Sequence, residues 1–228
     1  MKKSKLLTMS LALCLVAILA FGSLAYFTAQ DSVTNNFKVA STTDPDTPPT
    51  GDDIFDVEVT ETEPEPDADD EWTAEENDDG GYDYSDIAPG DKLPKDPTVT
   101  NTGAYDEWIR VHVTLTKANE WAAIVPAGTD LTTIFGGFDS GKWTLAGAPV
   151  TDAGADTVTY TYYLNSKLVP NASETLFTEV NIPAYMTADQ FATVADFSIV
   201  VTADAIQTAN TGATPAEAFV LYDNQVNS

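Results

Sequence analysis

Residues 108–116, WIRVHVTLT, alternate between apolar and polar side chains. Successive side chains of a β-strand point to opposite faces, so a period of two buries one face and leaves the other polar. The apolar face would carry Ile109, Val111, Val113 and Leu115, and the polar face Arg110, His112, Thr114 and Thr116. The stretch therefore predicts a half-buried strand near the middle of the chain.

The same alternation recurs on both sides of this strand. Further strands are predicted at 54–60, 158–164, 176–182 and 197–205. Residues 97–101 predict a short edge strand, because Pro97 has no N–H to donate to a neighbouring strand. Gly, Pro and Asp clusters separate these strands, and no βαβ alternation occurs. The chain is therefore predicted to be all-β, an antiparallel β-sandwich, with jelly-roll and immunoglobulin-like topologies both open.

Two short helices are predicted from their capping residues. Thr214, Pro215 and Glu217 have the spacing of an N-cap, a first-turn proline and a capping-box glutamate, which predicts a short C-terminal helix. Thr187 and Gln190 form a second pattern of the same kind.

The chain is strongly acidic, with a formal net charge of -26 at pH 7. The charge is concentrated in the first half, where positions 39–91 contain no Lys or Arg. Nucleic-acid binding relies on clustered Lys and Arg side chains that contact phosphates. This composition therefore excludes a nucleic-acid partner.

Two acidic segments divide the chain. Residues 41–53, STTDPDTPPTGDD, predict an acidic and Pro-rich linker, and residues 61–86 predict an acidic disordered insert. Three aromatic residues could anchor this insert: Trp72, Tyr82 and Tyr84. Residues 54–228, including the insert, are predicted to form the β-sandwich domain.

The start of the chain has the pattern of a cleavable signal peptide over residues 1–25. Three lysines precede an apolar run, and small residues at Ser23 and Ala25 predict cleavage before Tyr26. The alternative is a retained membrane anchor, but the apolar run is short for a hydrocarbon core of ~30 Å. We therefore expect a protein secreted to the extracellular matrix or cell surface, with signal peptidase as an export partner and no stable membrane anchor after cleavage.

The one cysteine, Cys14, lies within the signal peptide. Lipidation of Cys14 is disfavoured because Leu13, the preceding residue, is not small. The mature chain would then have no thiol, which excludes disulfides, thiolate metal sites and cysteine nucleophiles from it.

The titratable residues do not match a catalytic site. A zinc hydrolase needs about three N, S or carboxylate ligands and an open position, often including a histidine pair. The chain has one histidine, His112, on the polar face of its strand, and it has no Gly-x-Ser-x-Gly motif. We therefore predict no catalytic residues and a protein that is not an enzyme.

One acidic stretch has the spacing of an EF-hand-like calcium loop. The residues at the ligand positions are Glu75, Asn77, Asp79, Asp83 and Asp86. Both end positions differ from the usual pattern, with Glu in place of Asp at the first and Asp in place of Glu at the last. Calcium is the one cofactor that the sequence suggests, and loose counter-ion binding is the alternative.

Three segments, taken in order, resemble the TasA and camelysin family of exported proteins of Gram-positive bacteria, which the specialised signal peptidase SipW processes. The segments are AYFT at 25–28 with Asp31, Val33, Asn35 and FKV at 37–39; PGDKL at 89–93 with Lys95, Asp96 and VTNTG at 99–103; and FSIVVTA at 197–203 with AIQ at 205–207. The resemblance implies a jelly-roll-like domain and, for the TasA branch, a subunit of biofilm-matrix fibres. In such fibres the N-terminal segment of one subunit completes a sheet of the next.

Residues 26–40 are the candidate assembly strand, with apolar residues at Phe27, Val33, Phe37 and Val39. The linker at 41–53 reaches roughly 45 Å at ~3.3 to 3.6 Å per extended residue. The strand could therefore join its own sheet or that of a neighbour. We expect a secreted structural protein that self-associates into fibres, or associates with other matrix proteins, by exchange of this strand.

Two other functions stay open. The first is a monomeric cell-surface or extracellular binding module, with Trp121, Trp143 and Tyr163 as candidate ligand contacts. The second is a camelysin-like metalloprotease, which the single histidine disfavours.

Overall fold

The WIRVHVTLT strand lies inside a six-stranded antiparallel sheet in the computed structural model of the chain. The structure describes residues 28–36, 56–66, 71–126, 131–209 and 211–226. The predicted signal peptide and the linker at 41–53 therefore lie outside the described residues.

The described strands, in chain order, are β1 Thr28–Asn36, β2 Val57–Thr60, β3 Thr73–Glu76, β4 Tyr82–Ser85, β5 Lys92–Pro94, β6 Thr98–Asn101, β7 Glu107–Thr116, β8 Phe135–Gly136, β9 Trp143–Leu145, β10 Val150–Asp152, β11 Thr157–Leu164, β12 Ser173–Thr175, β13 Glu179–Asn181 and β14 Ser198–Gln207. The described helices are α1 Ala118–Ile124, a 3-10 helix Leu131–Ile134, α2 Ala188–Val194 and α3 Pro215–Val226.

The largest sheet has the strand order β1-β14-β7-β11-β10, and β9 also pairs with β11. Three smaller sheets have the orders β12-β6-β2, β5-β13-β8 and β3-β4. All described strand pairs are antiparallel. The prediction of an all-β, sandwich-like architecture is confirmed.

The core lies where the apolar faces of these sheets meet. The four apolar residues of β7 are fully buried, as the alternation predicts: Ile109, Val111, Val113 and Leu115. Aromatic pairs extend this core, with ring centroids 5.2 Å apart for Trp121 and Phe197 and 4.8 Å apart for Phe135 and Phe177. Apolar burial of this kind is the main favourable contribution to folding.

Both predicted helix starts are confirmed. The Thr187 side chain accepts from the Gln190 backbone N–H, and the Gln190 side chain accepts from the Thr187 backbone N–H, which completes a capping box for α2. At α3, the Thr214 hydroxyl accepts from the Glu217 backbone N–H at 3.3 Å.

The edge-strand prediction for 97–101 is wrong. Strand β6 lies between β12 and β2 in its sheet. Pro97 precedes the strand, so its missing N–H interrupts no pairing, and its carbonyl accepts a hydrogen bond from the Leu176 backbone N–H. Proline at the first position of a segment is therefore compatible with a central strand.

The prediction of a disordered insert at 61–86 is also wrong for part of its length. Strands β3 and β4 pair as a hairpin, and the three aromatic anchors, Trp72, Tyr82 and Tyr84, are buried. The Trp72 and Tyr84 rings are 5.7 Å apart, and the Tyr84 hydroxyl donates to the Pro94 carbonyl. Burial of these large side chains offsets the entropy cost of ordering an otherwise polar segment.

Because the Tyr84 hydroxyl attaches the hairpin to the domain, we expect Tyr84→Phe to lower the free energy of unfolding modestly. Removing the hydroxyl leaves the Pro94 carbonyl without that donor, so we expect a loss of about 0.5–1.5 kcal/mol in the free energy of unfolding. Denaturant unfolding measures this loss, with Tyr185→Phe as the control because Tyr185 is 54% exposed. Equal stability of the two variants would contradict docking of the hairpin through this hydroxyl.

Candidate functional site

Strand β14 is the strand of the candidate site with which the candidate assembly strand pairs. It pairs with β7 along its length, from Ile199 opposite Leu115 to Gln207 opposite Glu107. Ile199, Val201 and Ala203 are fully buried on its apolar face. Strand β14 is therefore held firmly from one side by the centre of the sheet.

Strand β1 occupies the other side of β14. Its nine residues pair antiparallel with β14, from Thr28 opposite Ile206 to Asn36 opposite Ser198. Because β1 ends the strand order of this sheet, its departure would leave backbone N–H and C=O groups of β14 without partners. The site is therefore a sheet edge that a nine-residue strand fills.

The predicted assembly residues are only partly within the described chain. Val33 lies in β1 at the register position opposite Val201. Phe27, Phe37 and Val39 lie outside the described residues, as do the predicted cleavage residues Ser23, Ala25 and Tyr26.

A buried charge cluster holds the polar face of β7 and β14 together. The Arg110 Nε and Nη2 atoms donate to Asp204 Oδ2 at 2.8 and 2.6 Å, and Arg110 Nη1 donates to both carboxylate oxygens of Asp223 at 3.0 and 2.8 Å. Burial lowers the pKa of Arg110, and the bonds to Asp204 and Asp223 outweigh it and raise the pKa above its usual value. The cluster therefore joins two strands to helix α3, which carries Asp223.

Helix α3 covers this polar face with an aromatic side chain. The Arg110 guanidinium carbon lies 4.4 Å from the Phe219 ring centroid, and the Phe219 and Tyr163 rings stack with centroids 5.9 Å apart. Such cation–π and stacking contacts add to the ion pairs. The face of β7 that the alternation marks as polar is therefore partly buried under the C-terminal helix.

His112, the one histidine, belongs to the same cluster. Its Nδ1 lies 2.9 Å from Thr161 Oγ1, and its Nε2 lies 3.3 Å from Asp204 Oδ2. Within the described part of the chain, no group of three His, Cys, Asp or Glu residues is arranged to hold a metal ion. The predicted absence of catalysis stays a prediction.

The structure places the five calcium candidates in and beside the β3–β4 hairpin. Glu75 and Asp83 pair across the strands, and the Asn77 amide donates to Asp83 Oδ1 at 2.9 Å. Asn77 Oδ1 accepts from the backbone N–H groups of Asp79 and Gly81, so this side chain stabilises the turn. Calcium binding stays a prediction, and in this structure the stretch is a hairpin.

The aromatic contacts suggested for a binding module are mostly internal. Trp121 and Trp143 are 0% and 1% exposed, and Trp143 Nε1 donates to the Thr175 carbonyl. Tyr163 is half-buried against Phe219. The two tryptophans therefore pack in the core and do not line a surface.

Comparison with known proteins identifies no relative: no family model, no curated protein and no solved structure matches the chain. Among the helices that the structure describes, none has the length and apolar character needed to cross a membrane.

Two of the buried charged residues, Glu107 and Lys95, were not predicted, although the alternation of apolar and polar residues marks both positions as inward-facing. Glu107 is in phase with Ile109 and the other inward residues of β7, and Lys95 is in phase with Leu93 and Val99. Glu107 and Lys95 are 0% and 1% exposed. A charged residue at an inward position of a strand pattern is thus a marker for a buried ionisable group.

Proposed function

We propose that this protein is a secreted structural subunit that assembles into extracellular fibres by exchange of strand β1. The observation that carries the proposal is the nine-residue pairing of β1 with the edge of β14. Residues 37–56 separate β1 from β2, so the strand is tethered to the domain through a long segment. The resemblance of residues 25–39 and 197–207 to the TasA and camelysin family supports the same reading, because these ranges contain β1 and β14.

The pairing register of β1 with β14 would be the same whether β1 belongs to the same chain or to a neighbouring subunit. Twenty residues, 37–56, connect β1 to β2 and reach roughly 70 Å when extended. A tethered strand meets its own domain at an effective concentration in the millimolar range, so exchange needs a high local concentration of subunits. Exchange between neighbours is head-to-tail, and a head-to-tail interface that does not close forms a filament.

Deletion of β1 tests this proposal. We compare residues 26–228 with residues 41–228 by light scattering and electron microscopy, and we follow folding by circular dichroism. The longer chain should form filaments, while the shorter chain should stay a folded β domain that does not polymerise. A synthetic peptide of residues 26–40 should bind the shorter chain and cap it as a monomer.

Adjacent proline variants provide the matched control. In an edge strand, the backbone N–H groups of successive residues point alternately toward the neighbouring strand and away from it. Of Asp31→Pro and Ser32→Pro, one should therefore block peptide binding far more than the other. Equal binding by both peptides would argue against strand pairing as the mode of contact.

A monomeric extracellular module is the second candidate function, and the pairing of β1 with β14 of its own chain favours it. If residues 26–228 remain monomeric at high concentration and residues 41–228 unfold, β1 is a permanent strand of its own domain. That result would replace the fibre proposal with the module.

A further inference from the structure

We call residues 37–56, which connect β1 to β2, the tether. Glu107 lies between the end of strand β14 and Asp56, the last residue of the tether. It is the first residue of β7, it pairs with Gln207 at the end of β14, and its backbone N–H and C=O both bond Leu168. One register step away, Ile206 pairs with Thr28, the first residue of β1. The carboxyl group of Glu107 is therefore buried beside the end of β14 that receives β1.

Asp56, the residue before β2, anchors the far end of the tether at the same place. Its carbonyl accepts from the backbone N–H groups of Thr102 and Gly103 at 3.0 and 3.1 Å. Its carboxylate accepts from the Thr102 hydroxyl at 2.9 Å and from the Val57 backbone N–H at 3.0 Å. Asp56 is thus bonded to the turn that follows β6, next to Glu107.

The buried position of Glu107 disfavours the ionised form of its carboxyl group. The residue is 0% exposed, and within the described chain neither carboxylate oxygen makes a hydrogen bond of good geometry. Burial raises the pKa of Glu107 to about 7, the backbone N–H of Asp56 opposes this in part, and the Asp56 carboxylate adds to it. Ionisation would therefore place a second negative charge beside Asp56 in a dry site.

Among the residues that the structure describes, the other groups around Glu107 do not supply a compensating positive charge. Asp106 and Lys167, on the two segments that flank it, form an ion pair with each other at the surface. Two neighbouring side chains are uncharged, those of Gln207 on β14 and of Asn101. The Asn101 side chain makes hydrogen bonds with backbone groups of Tyr105, Leu168 and Gly103.

We infer that Glu107 is a proton-operated clamp: when neutral it holds the tether anchor and the end of β14 together, and when ionised it loosens both. This role, as a control on assembly, rests on the strand-exchange function proposed above. The loosened region would include Asp56, the turn at 101–103 and the end of β14. Acid conditions would therefore favour an ordered β14 edge that can pair with β1.

The sign of the pH dependence follows from the raised pKa. Between pH 4.5 and about 7 the unfolded chain loses the Glu107 proton while the folded chain keeps it, so stability falls as the pH rises through this window. Above both values the loss is complete and corresponds to as much as ~300-fold in the unfolding constant. Below pH 4.5 this contribution no longer changes.

The test compares residues 26–228 with Glu107→Gln in the same chain from pH 5 to 9. Hydrogen exchange is measured for peptides covering 56–60, 101–107 and 203–207, together with the denaturant midpoint. We expect exchange in these peptides to accelerate on the order of 100-fold toward pH 8 in the unsubstituted chain, after correction for intrinsic rates, and to stay flat in the variant. Glu58→Gln, at an exposed position of β2, should retain the pH dependence.

Parallel pH profiles for the unsubstituted chain and Glu107→Gln would overturn the clamp. If Glu107→Gln does not fold, a carboxyl carbon NMR titration of the unsubstituted chain decides the question: a midpoint near 7 supports the clamp, and a midpoint below 5.5 overturns it. Light scattering of the same samples separates the two proposals. Absence of polymer at every pH refutes strand exchange, while the hydrogen-exchange profile still decides whether Glu107 acts as a clamp.

Discussion

Replacing Lys95 with Met should destabilise the domain by about 3–5 kcal/mol. The Lys95 and Glu61 side chains are both fully buried, with Nζ and Oε1 2.5 Å apart. Burial lowers the pKa of Lys95, and the Glu61 carboxylate opposes that shift. Removing the ammonium group leaves the charge of Glu61 in a dry interior, where its attraction to Lys95 compensates for lost hydration. Denaturant unfolding at pH 7 measures the change in the free energy of unfolding.

A double variant and a surface pair serve as controls for this result. Lys95→Met combined with Glu61→Leu should recover most of the loss, because apolar residues of similar volume can replace a buried ion pair at little cost. Lys142→Met removes an ion pair with Glu174 whose lysine side chain is 52% exposed, and it should change stability much less than Lys95→Met does. If Lys95→Met were as mild as Lys142→Met, the Lys95–Glu61 pair would not be buried.

Replacing Arg110 with Met should cost about 3–5 kcal/mol and detach helix α3. The substitution removes four hydrogen bonds to Asp204 and Asp223 and the contact with the Phe219 ring. Asp204 is almost fully buried, so its charge depends on the guanidinium group. We expect faster hydrogen exchange across residues 215–226 and a lower denaturant midpoint.

Arg110→Lys and Asp223→Asn separate the parts of this cluster. A lysine supplies a point charge without the planar fork, so Arg110→Lys should recover only part of the stability. Asp223 is 47% exposed, so Asp223→Asn should cost roughly 1 kcal/mol and affect mainly the exchange of α3. If Arg110→Met left the exchange of 215–226 unchanged, the helix would be held by its apolar contacts alone.

Much of the fold could be predicted from local patterns. The period of two predicted β7, β11 and β14, because one buried face of a strand requires it. The capping residues predicted the starts of α2 and α3, because an N-cap and its partner lie three residues apart. Each of these signals is contained within about ten neighbouring residues.

Helix α1 and the acidic hairpin show where local patterns fail. The start of α1 is capped from a distance, since the Asn119 backbone N–H donates to Asp156 Oδ1, 37 residues away. The hairpin is acidic in composition, and its order depends on Trp72, Tyr82 and Tyr84 finding a buried surface on the rest of the domain. Composition alone therefore predicted disorder where aromatic anchoring produces a hairpin.

The candidate site, like the fold, could be predicted from the sequence only in part. The sequence by itself determined that a β-forming segment with Val33 precedes an acidic linker, and that Arg110 lies on the polar face of a strand. Only the tertiary structure decided that β1 pairs with β14, that Lys95 meets Glu61, and that Arg110 meets Asp204, 94 residues away. The reason is physical: periodicity reports which face of a strand is buried, whereas the partner across that face is set by the strand order of the sheet.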